Sequence, residues 1–431
     1  MPARRVEAGP RTLVVAGAGG AGKSAVACAL AERSAARGDR TLLVSTGRVR
    51  EPLLAPDDAD RSDRAPAYEQ VHLNPVTLLA QWWERIVGGI RAARPPRADG
   101  DDPGFDPFVL EPPELTGLAE PEHLLTLSAI HRYATAADDA GRAYDVVIVD
   151  APGFEELVAL LTAPASIAAY LERVWPRHVR LSAPVSVDGP ATGSVAGLIL
   201  AERLTVLAEE LAGFAADRRA LELVYVLAAD GARVTRARRE LAALEVLGLR
   251  PSGLVLNRVL RADPRFAHDL PHPALQWFAR RLSAQQVAVD GARELGDALA
   301  RPVLEVDEAA VPLSGPVEAG GLAVSSPDGG DPLDRLRGAA DPAEPSLRHV
   351  GGFGLDARYE WTVALPLVDP STIALGRVEE DVVVEAEGVR RRLRLPSVLR
   401  RCVVAGATYA DGELRVDFAP DPELWPHGAE R

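Results

Sequence analysis

A glycine-rich loop near the start of the chain constrains the fold more than any other stretch of the sequence. The apolar run TLVVAG (12–17) ends in glycine, and GAGGAGKS (17–24) has the spacing GxxxxGK(S/T). The stretch SAVACALAERSAARG (24–38) then has the pattern of an amphipathic helix that stops at Gly38. A buried strand, a glycine loop and a helix in this order are typical of a phosphate-binding loop in an α/β sheet.

The loop also holds the only lysine of the chain. Lys23 stands alone among 48 lysine and arginine residues, so all the others are arginine. Its compact ammonium group can reach β- and γ-phosphates, where the wide guanidinium of arginine does not fit. We therefore predict phosphate binding, and the alternative is an ordinary glycine-rich turn at a helix start. The predicted nucleotide-contacting residues of the loop are Gly17, Gly19, Gly20, Ala21, Gly22, Lys23, Ser24 and Ala25.

A second apolar run, YDVVIVD (144–150), ends in an aspartate. At the carboxyl edge of a parallel sheet Asp150 can hold a Mg²⁺-bound water, and the Ser24 hydroxyl can ligate the ion directly. The sequence thus predicts ATP and Mg²⁺ as cofactors, with Lys23 and Asp150 as catalytic residues and Ser24 and Asp150 as the metal site. The alternative for Asp150 is a strand-end residue that caps a turn.

The wider pattern alternates strands with helices. TLLVST (41–46), LVYVLA (223–228) and GLVLN (253–257) are predicted as further buried strands. The stretch VTRARRELAALEVLG (234–248) has the clearest helical period between them, and we also expect a helix over QVHLNPVTLLAQWWERIVGGI (70–90). This alternation predicts an α/β fold with a doubly wound, mostly parallel sheet.

The last part of the chain has a different pattern. Residues 327–346 are rich in Pro, Gly and Asp, and short alternating strands follow, such as YEWTVALPL (359–367). These strands predict an all-β sandwich. We expect an ATPase domain with a helical insert over residues 1–326, a linker over 327–346 and the β-sandwich over 347–431.

Charge and cysteine content exclude several classes of protein. The formal net charge of −14 opposes binding to nucleic acid or to an anionic membrane surface. Cys28 and Cys402 are far apart, which gives neither a disulfide framework nor a CxxC metal clip. The first ten residues have no apolar signal segment, and the longest uncharged apolar run (157–171) is shorter than the ~20 residues that cross a bilayer. We expect a cytoplasmic protein without an integral membrane segment.

Together these motifs resemble the ArsA-type ATPases, a family that includes the arsenite-pump ATPase and the ATPase that targets tail-anchored proteins. YDVVIVDAP (144–152) and SGLVLNRV (252–259) are similar to two of the family's strands. The resemblance implies an ATP-binding dimer in which Asn257 and Arg258 contact the base and residues 302–324 line the base pocket. The alternative for Asn257, if the resemblance to the family is set aside, is an ordinary turn residue at a strand end.

The chain departs from the family at positions that organise hydrolysis. The family has an early loop lysine that crosses the dimer interface, and this chain has Ala18. The family's first switch has an aspartate that positions water, and this chain has Gly47 followed by Arg48 and Val49. A cation supplied in trans is worth ~10³-fold or more in rate. The resemblance therefore implies ATP binding with weak or partner-dependent turnover.

The second switch offers a substitute base. It is APGFEELVA (151–159) in this chain, where the family has TAPTGHTLR. Glu155 or Glu156 can act as the base, and the alternative is a pair of solvated acids at a helix start. Arg48 can replace the missing cation, or it is a plain surface arginine. The family's metalloid-binding cysteine cluster and zinc-binding CxxC are absent from the sequence.

The C-terminal strands resemble the α-crystallin domain of small heat-shock proteins. LPLVD (365–369), GVRRRLRLP (388–396) and ATYADGEL (407–414) match the patterns LPxVD, GxRRxxxLP and AxxxxGxL in order. Such domains are commonly appended to ArsA-like ATPases in bacteria. The alternative is any β-sandwich with a hairpin.

Apolar helix formers dominate residues 157–215. In the targeting ATPases this part forms a nucleotide-gated groove for hydrophobic segments. Trp82 and Trp83 are further candidates for residues of such a groove. The alternative is an ordinary core between helices. We expect an ATPase that couples its nucleotide state to a hydrophobic client, as a homodimer or as a heterodimer with an ArsA-like paralogue. One alternative is a pseudo-ATPase scaffold or regulatory subunit beside an active paralogue. The other alternative is a chaperone-like protein in which the β-domain is the active part.

Overall fold

The computed structural model describes most of the 431 residues. The described residues are 11–48, 66–93, 119–138, 141–182, 195–217, 219–262, 272–310, 312–313, 315–337 and 345–425. The chain divides into two compact units, Met1–Val224 with Ala309–Val324, and Tyr225–Glu308 with Ser325–Arg431. Val49 of the predicted first switch and two positions of the predicted base-pocket segment, 311 and 314, lie outside the described residues.

Helices and strands alternate in the first part of the chain. Their bounds are β1 (Arg11–Gly17), α1 (Lys23–Ala36), β2 (Thr41–Thr46), β3 (Glu69–Leu73), α2 (Pro75–Ala93), α3 (Ala119–Thr135), β4 (Ala137–Asp138), β5 (Gly141–Arg142), β6 (Val146–Asp150), α4 (Phe154–Val174), α5 (Arg177–Ser182), α6 (Val195–Ala216) and β7 (Leu221–Ala228). The second half of β7 belongs to the second unit.

The later part of the chain ends in antiparallel strands. Its bounds are α7 (Gly231–Val246), β8 (Gly253–Val259), α8 (Pro273–Leu299), β9 (Val303–Asp307), α9 (Pro316–Gly320), β10 (Val324–Ser325), α10 (Pro332–Arg335), β11 (Ser346–Gly351), β12 (Arg358–Ala364), β13 (Ala374–Val378), β14 (Asp381–Ala386), β15 (Val389–Arg394), β16 (Cys402–Ala410) and β17 (Glu413–Pro420).

The first unit is built on parallel strands. Their order is β7-β1-β6-β2-β3, and β6 is parallel to both β1 and β2. Every residue of β1 and β6 is buried, as expected for apolar strands that are covered by helices on both faces. Asp150 pairs with Val15 of β1 and with Ser45 of β2, so the carboxyl ends of the three strands meet at one edge.

Strand β3 corrects the sequence prediction of one helix over residues 70–90. Residues Glu69–Leu73 pair in parallel with β2, and the helix begins only at Pro75. Asn74 separates the two elements, and its Oδ1 accepts hydrogen bonds from the N–H groups of Val76 and Thr77. An Asn cap followed by proline starts a helix and prevents the pattern upstream from joining it.

Helix α4 corrects the length argument against a membrane segment. The uncharged run covers residues 157–171, but the helix extends over 21 residues, Phe154–Val174. It is the one helix in the described part of the chain that is long and apolar enough to cross a membrane. Core helices of soluble proteins meet the same criterion, and α4 packs against α3 and α6 within the first unit.

The second unit combines part of a parallel sheet with a β-sandwich. Strand β8 lies between β7 and β9 and is parallel to β9, and helices α7 and α8 pack against each other. The C-terminal strands form a four-stranded sheet, β11-β12-β17-β16, and a three-stranded sheet, β13-β14-β15. Alternate residues of β12, β14 and β17 are buried, and Trp361 and Phe418 are among the largest buried side chains. The predicted fold class is confirmed.

The stretch predicted as a linker contains a short helix. Helix α10 lies inside residues 327–346, and Leu333 and Leu336 are buried. The predicted domain limits stay a prediction.

Candidate functional site

The glycine loop turns sharply between β1 and α1. Gly17, Gly20 and Gly22 have φ angles of 147°, 74° and 87°, in the region that side chains other than glycine rarely adopt. Gly22 is the N-cap of α1 and makes no side-chain hydrogen bond to the first turn. The first-turn N–H groups, which have no partner within a helix, therefore remain available to an anion.

Ser24 and Asp150 come together at the end of this loop. The Ser24 Oγ donates a hydrogen bond of 2.7 Å to Asp150 Oδ2. Asp150 is 5% exposed, and its carbonyl oxygen accepts a hydrogen bond of 3.2 Å from Thr46 Oγ1. A hydroxyl and a carboxylate in contact, beside a loop that favours phosphate, are the donor set that Mg²⁺ takes in nucleotide sites.

Lys23 is the first residue of α1 and is half-buried. Within the described part of the chain its ammonium group makes no hydrogen bond or ion pair. Ala18 lies in the same loop and is buried, at 5% exposure. The loop thus has one cation, Lys23 at the helix start, and no cation at position 18, where the family has its early loop lysine.

The first switch is held by its neighbours in the first unit. The N–H of Gly47, whose φ is 141°, donates to the carbonyl of Leu73, and Asn74 Nδ2 donates to the carbonyl of Arg48. The Arg48 guanidinium reaches both carboxylate oxygens of Glu122 on α3, at 3.1 and 3.2 Å. This pairing favours a structural role for Arg48 over that of a substitute cation.

Glu155 and Glu156 lie in the first turn of α4, and both are exposed. Neither side chain hydrogen-bonds to another group among the described residues. Acidic side chains in a first turn are stabilised by the positive end of the helix dipole. Their position fits the alternative of solvated acids, and catalysis by Glu155 stays a prediction.

Asn257 and Arg258 belong to the second unit, at the carboxyl end of β8. Asn257 is 4% exposed, and its Oδ1 accepts a hydrogen bond from the backbone N–H of Arg258. Arg258 is exposed and has a φ of 64°, and the pairing with β9 is irregular at this point. Left-handed residues other than glycine concentrate at functional sites, but the hydrogen bond also fits a strand-end turn. Base contact stays a prediction.

The structure adds three residues that sequence reasoning missed. Thr46 contacts Asp150, Asn74 holds the first switch, and Glu122 binds Arg48. Only Asn74 had a usable signal, because Asn before Pro marks a helix start. Glu122 lies 74 residues from Arg48, and no local pattern links them.

Both cysteines are buried. Burial raises the pKa of the Cys28 thiol to about 12, despite a hydrogen bond with Tyr68 that lowers the pKa. Such a thiol is inert at neutral pH. Cys402 is buried too, and no group of three or more potential metal ligands occurs among the described residues.

The two tryptophans proposed for a client groove pack into a small apolar cluster. Trp82 and Trp83 pack partly buried against the cluster of Leu79 and Leu125, between α2 and α3. This packing favours the alternative of an ordinary helix core for the pair.

Comparisons with known proteins agree with the motifs. A family model described as anion-transporting ATPase matches residues 10–49, and a model described as HSP20-like domain found in ArsA matches residues 356–418. Protein Rv2184c of Mycobacterium tuberculosis is 33% identical over 436 residues, which cover 96% of this chain and 97% of the relative. Uncharacterized protein SCO2128 of Streptomyces coelicolor is 30% identical over 437 residues, with 97% and 100% covered.

Proposed function

This chain belongs to the ArsA-type ATPases that carry a C-terminal HSP20-like domain, and on this premise we propose that it is a MgATP-binding ATPase that couples its nucleotide state to a hydrophobic client or partner protein. We further propose that its intrinsic hydrolysis is weak. The 2.7 Å contact between Ser24 and Asp150 is the observation that carries the proposal. It brings the hydroxyl after the loop lysine together with the strand-end carboxylate.

The residues of the first unit have distinct roles in this proposal. Backbone N–H groups from Gly17 to Ala25 surround the phosphates, and the Lys23 ammonium neutralises the β- and γ-phosphates. Ser24 would ligate Mg²⁺, and Asp150 would hold a water bound to the ion. When bound, Mg²⁺ supplies positive charge that stabilises the transferring phosphoryl group.

Weak turnover follows from the residues at one position of the glycine loop and at the first switch. Ala18 supplies no cation to a partner, and Gly47 supplies no carboxylate to position water. Arg48 is bound to Glu122. Phosphoryl transfer depends on positioning the nucleophile and on stabilising the charge of the transferring group. A site that lacks the trans cation and the switch carboxylate therefore still binds nucleotide but hydrolyses it slowly.

The client part of the proposal rests on the helices after the second switch. They expose large apolar side chains: Tyr170 is 66% exposed, Val174 63%, Val179 42% and Val206 49%. Where such side chains form one contiguous patch, the patch commonly marks an interaction site. Dimerisation and a cytoplasmic location are part of the same proposal.

Calorimetric titration with MgATP, followed by single-turnover hydrolysis, tests the proposal. We expect binding together with hydrolysis that is slow for the chain alone and faster with an ArsA-like paralogue. Binding without any hydrolysis under both conditions would favour the second candidate, a pseudo-ATPase scaffold, which the substitutions at Ala18 and Gly47 support. Absence of MgATP binding contradicts both.

A further inference from the structure

The end of helix α7 packs against the HSP20-like domain within the second unit. Helix α7 contacts strands β14 and β15. The Arg391 guanidinium of β15 lies against Gly248, just after the helix, so closely that a Cβ at this glycine would clash with it. The sandwich is therefore in direct contact with the turn that leads from α7 into β8.

A buried carboxylate is central to this contact. The Glu245 side chain is fully buried, in the last turn of α7. Its Oε2 accepts a hydrogen bond of 3.0 Å from the backbone N–H of Leu367, in the loop after β12. Its Oε1 lies 3.9 Å from Arg250 Nη2 and accepts no hydrogen bond among the described residues. The Glu245 carboxylate thus joins α7 to the sandwich, but its single hydrogen bond and the distant arginine compensate only part of the cost of its burial.

The loop that Glu245 holds is ordered by the sandwich itself. Leu365, Leu367 and Val368 are buried. The Tyr409 hydroxyl bonds to the carbonyls of Leu365, at 2.7 Å, and Val368, at 3.1 Å. A second contact with the sandwich comes from the turn after α7, where Arg250 Nη2 donates a hydrogen bond of 2.6 Å to the carbonyl of Ala364.

Arg238 of α7, Arg250 in the turn after it and Tyr409 of β16 interact electrostatically with Glu245. Burial raises the pKa of Glu245 to about 7, while the Leu367 N–H and the charges of Arg250 and Arg238 oppose the rise. The negative end of the helix dipole disfavours the ionised form as well. Tyr409 faces it from β16, where burial and the charge of Glu245 raise the pKa of the phenol. Burial and the charge of Arg250 lower the pKa of Arg391.

We propose that Glu245 is a proton-linked latch, which makes the contact between helix α7 and the HSP20-like domain tighter at pH 6 than at pH 8. In the closed contact the carboxyl holds its proton up to about pH 7, whereas its ordinary pKa is 4.5. The closed state therefore binds a proton that the open state releases. Closing becomes more favourable as the pH falls through 7, and the gain is complete below 4.5.

Hydrogen exchange of the full chain tests this proposal. Mass spectrometry would measure protection factors for a peptide that contains residues 365–368, at pH 6 and pH 8. In the wild type we expect the opening constant to rise about tenfold over this interval. Glu245→Gln keeps the size and the acceptor oxygen but cannot ionise, so its opening constant should not change with pH.

Glu240→Gln is the matched control. Glu240 is a buried carboxylate on the same helix, but it accepts hydrogen bonds from Tyr225 and Arg236 and not from the sandwich. This variant should keep the wild-type pH dependence. A wild-type opening constant that does not change with pH overturns the proposal whether or not the variants fold. So does a Glu245→Gln variant that keeps the wild-type dependence.

Discussion

The Ser24 hydroxyl donates a 2.7 Å hydrogen bond to Asp150, across 126 positions of sequence. Parallel pairing of β1 with β6 places Val15 beside Asp150, so the loop after β1 and the end of β6 share one edge of the sheet. This contact joins Ser24, the predicted Mg²⁺ ligand, to Asp150, which is predicted to hold a water bound to the ion.

Lys23→Ala should abolish MgATP binding, and Lys23→Arg should weaken it strongly. The alanine removes the only cation of the loop, and a guanidinium is too wide for a cavity formed by glycine N–H groups. Calorimetric titration measures the affinity, and an unchanged melting temperature shows that the fold is kept. Wild-type affinity in Lys23→Ala would remove the basis for a phosphate-binding loop.

Ser24→Ala should lower the affinity for MgATP about tenfold or more, because the metal loses a ligand and Asp150 loses a hydrogen bond of the charged type. The affinity for ATP in EDTA should stay unchanged. Ser34→Ala is a matched control on the same helix, since Ser34 bonds to Asp39 instead. Equal losses with and without Mg²⁺ would mean that Ser24 supports the loop and not the metal.

Ala18→Lys should raise steady-state phosphate release if the missing trans cation limits the rate, because two loops that face each other across a twofold axis exchange this contact. Wild-type turnover should fall well below the ~1–100 s⁻¹ of kinases. A wild-type rate in that range would contradict weak hydrolysis and make Glu155 and Glu156 the first candidates for a base.

Gly47→Asp tests the second possible cause of slow turnover, which is the missing carboxylate of the first switch. It restores the switch carboxylate, so phosphate release should rise if water positioning is the deficit. The φ of Gly47 is 141°, and an aspartate there should lower the free energy of unfolding by roughly 1–3 kcal/mol. Urea denaturation measures this loss. A stable variant with unchanged turnover would exclude the carboxylate as the limiting group.

Residues 345–425 should fold alone. The sandwich has its own core, and Tyr409 orders the loop at residues 365–368 from within it. We expect a β-type circular dichroism spectrum and a cooperative melt. Tyr409→Phe should lower the unfolding free energy of this fragment by about 1 kcal/mol or more, and an unfolded wild-type fragment would show that the core needs helix α7.

Arg250→Leu should move the midpoint of the pH dependence of the α7 contact above pH 7. The charge of Arg250 lowers the pKa of Glu245, so its removal raises this pKa further. The closed contact then keeps its proton to a higher pH. Arg301→Leu is the control, because Arg301 bonds to the carbonyls of Pro251 and Ala300 and has no direct effect on Glu245. Exchange measured from pH 6 to pH 9 would locate both midpoints, and an unmoved midpoint in Arg250→Leu contradicts the assigned role.

Much of the fold and of the nucleotide site could be predicted from local pattern. The apolar run before Gly17, the spacing to Lys23 and the strand that ends at Asp150 each specify a conformation or a sheet edge through neighbours in sequence. The strand over 69–73 was missed although Asn74 before Pro75 marks the helix start, because only Val71 and Leu73 of its five residues are apolar and its pairing with β2 joins distant parts of the sequence.

Local sequence specifies which residues share a turn, a face or a strand end, because backbone geometry repeats over a few positions. The contacts between distant groups depend on how the elements pack. Arg48 is bound to Glu122, and Glu245 accepts its hydrogen bond from Leu367, 122 residues away. Burial of a charge is unfavourable unless a partner compensates it, and the partner is chosen by the packing of whole elements, which no local spacing encodes.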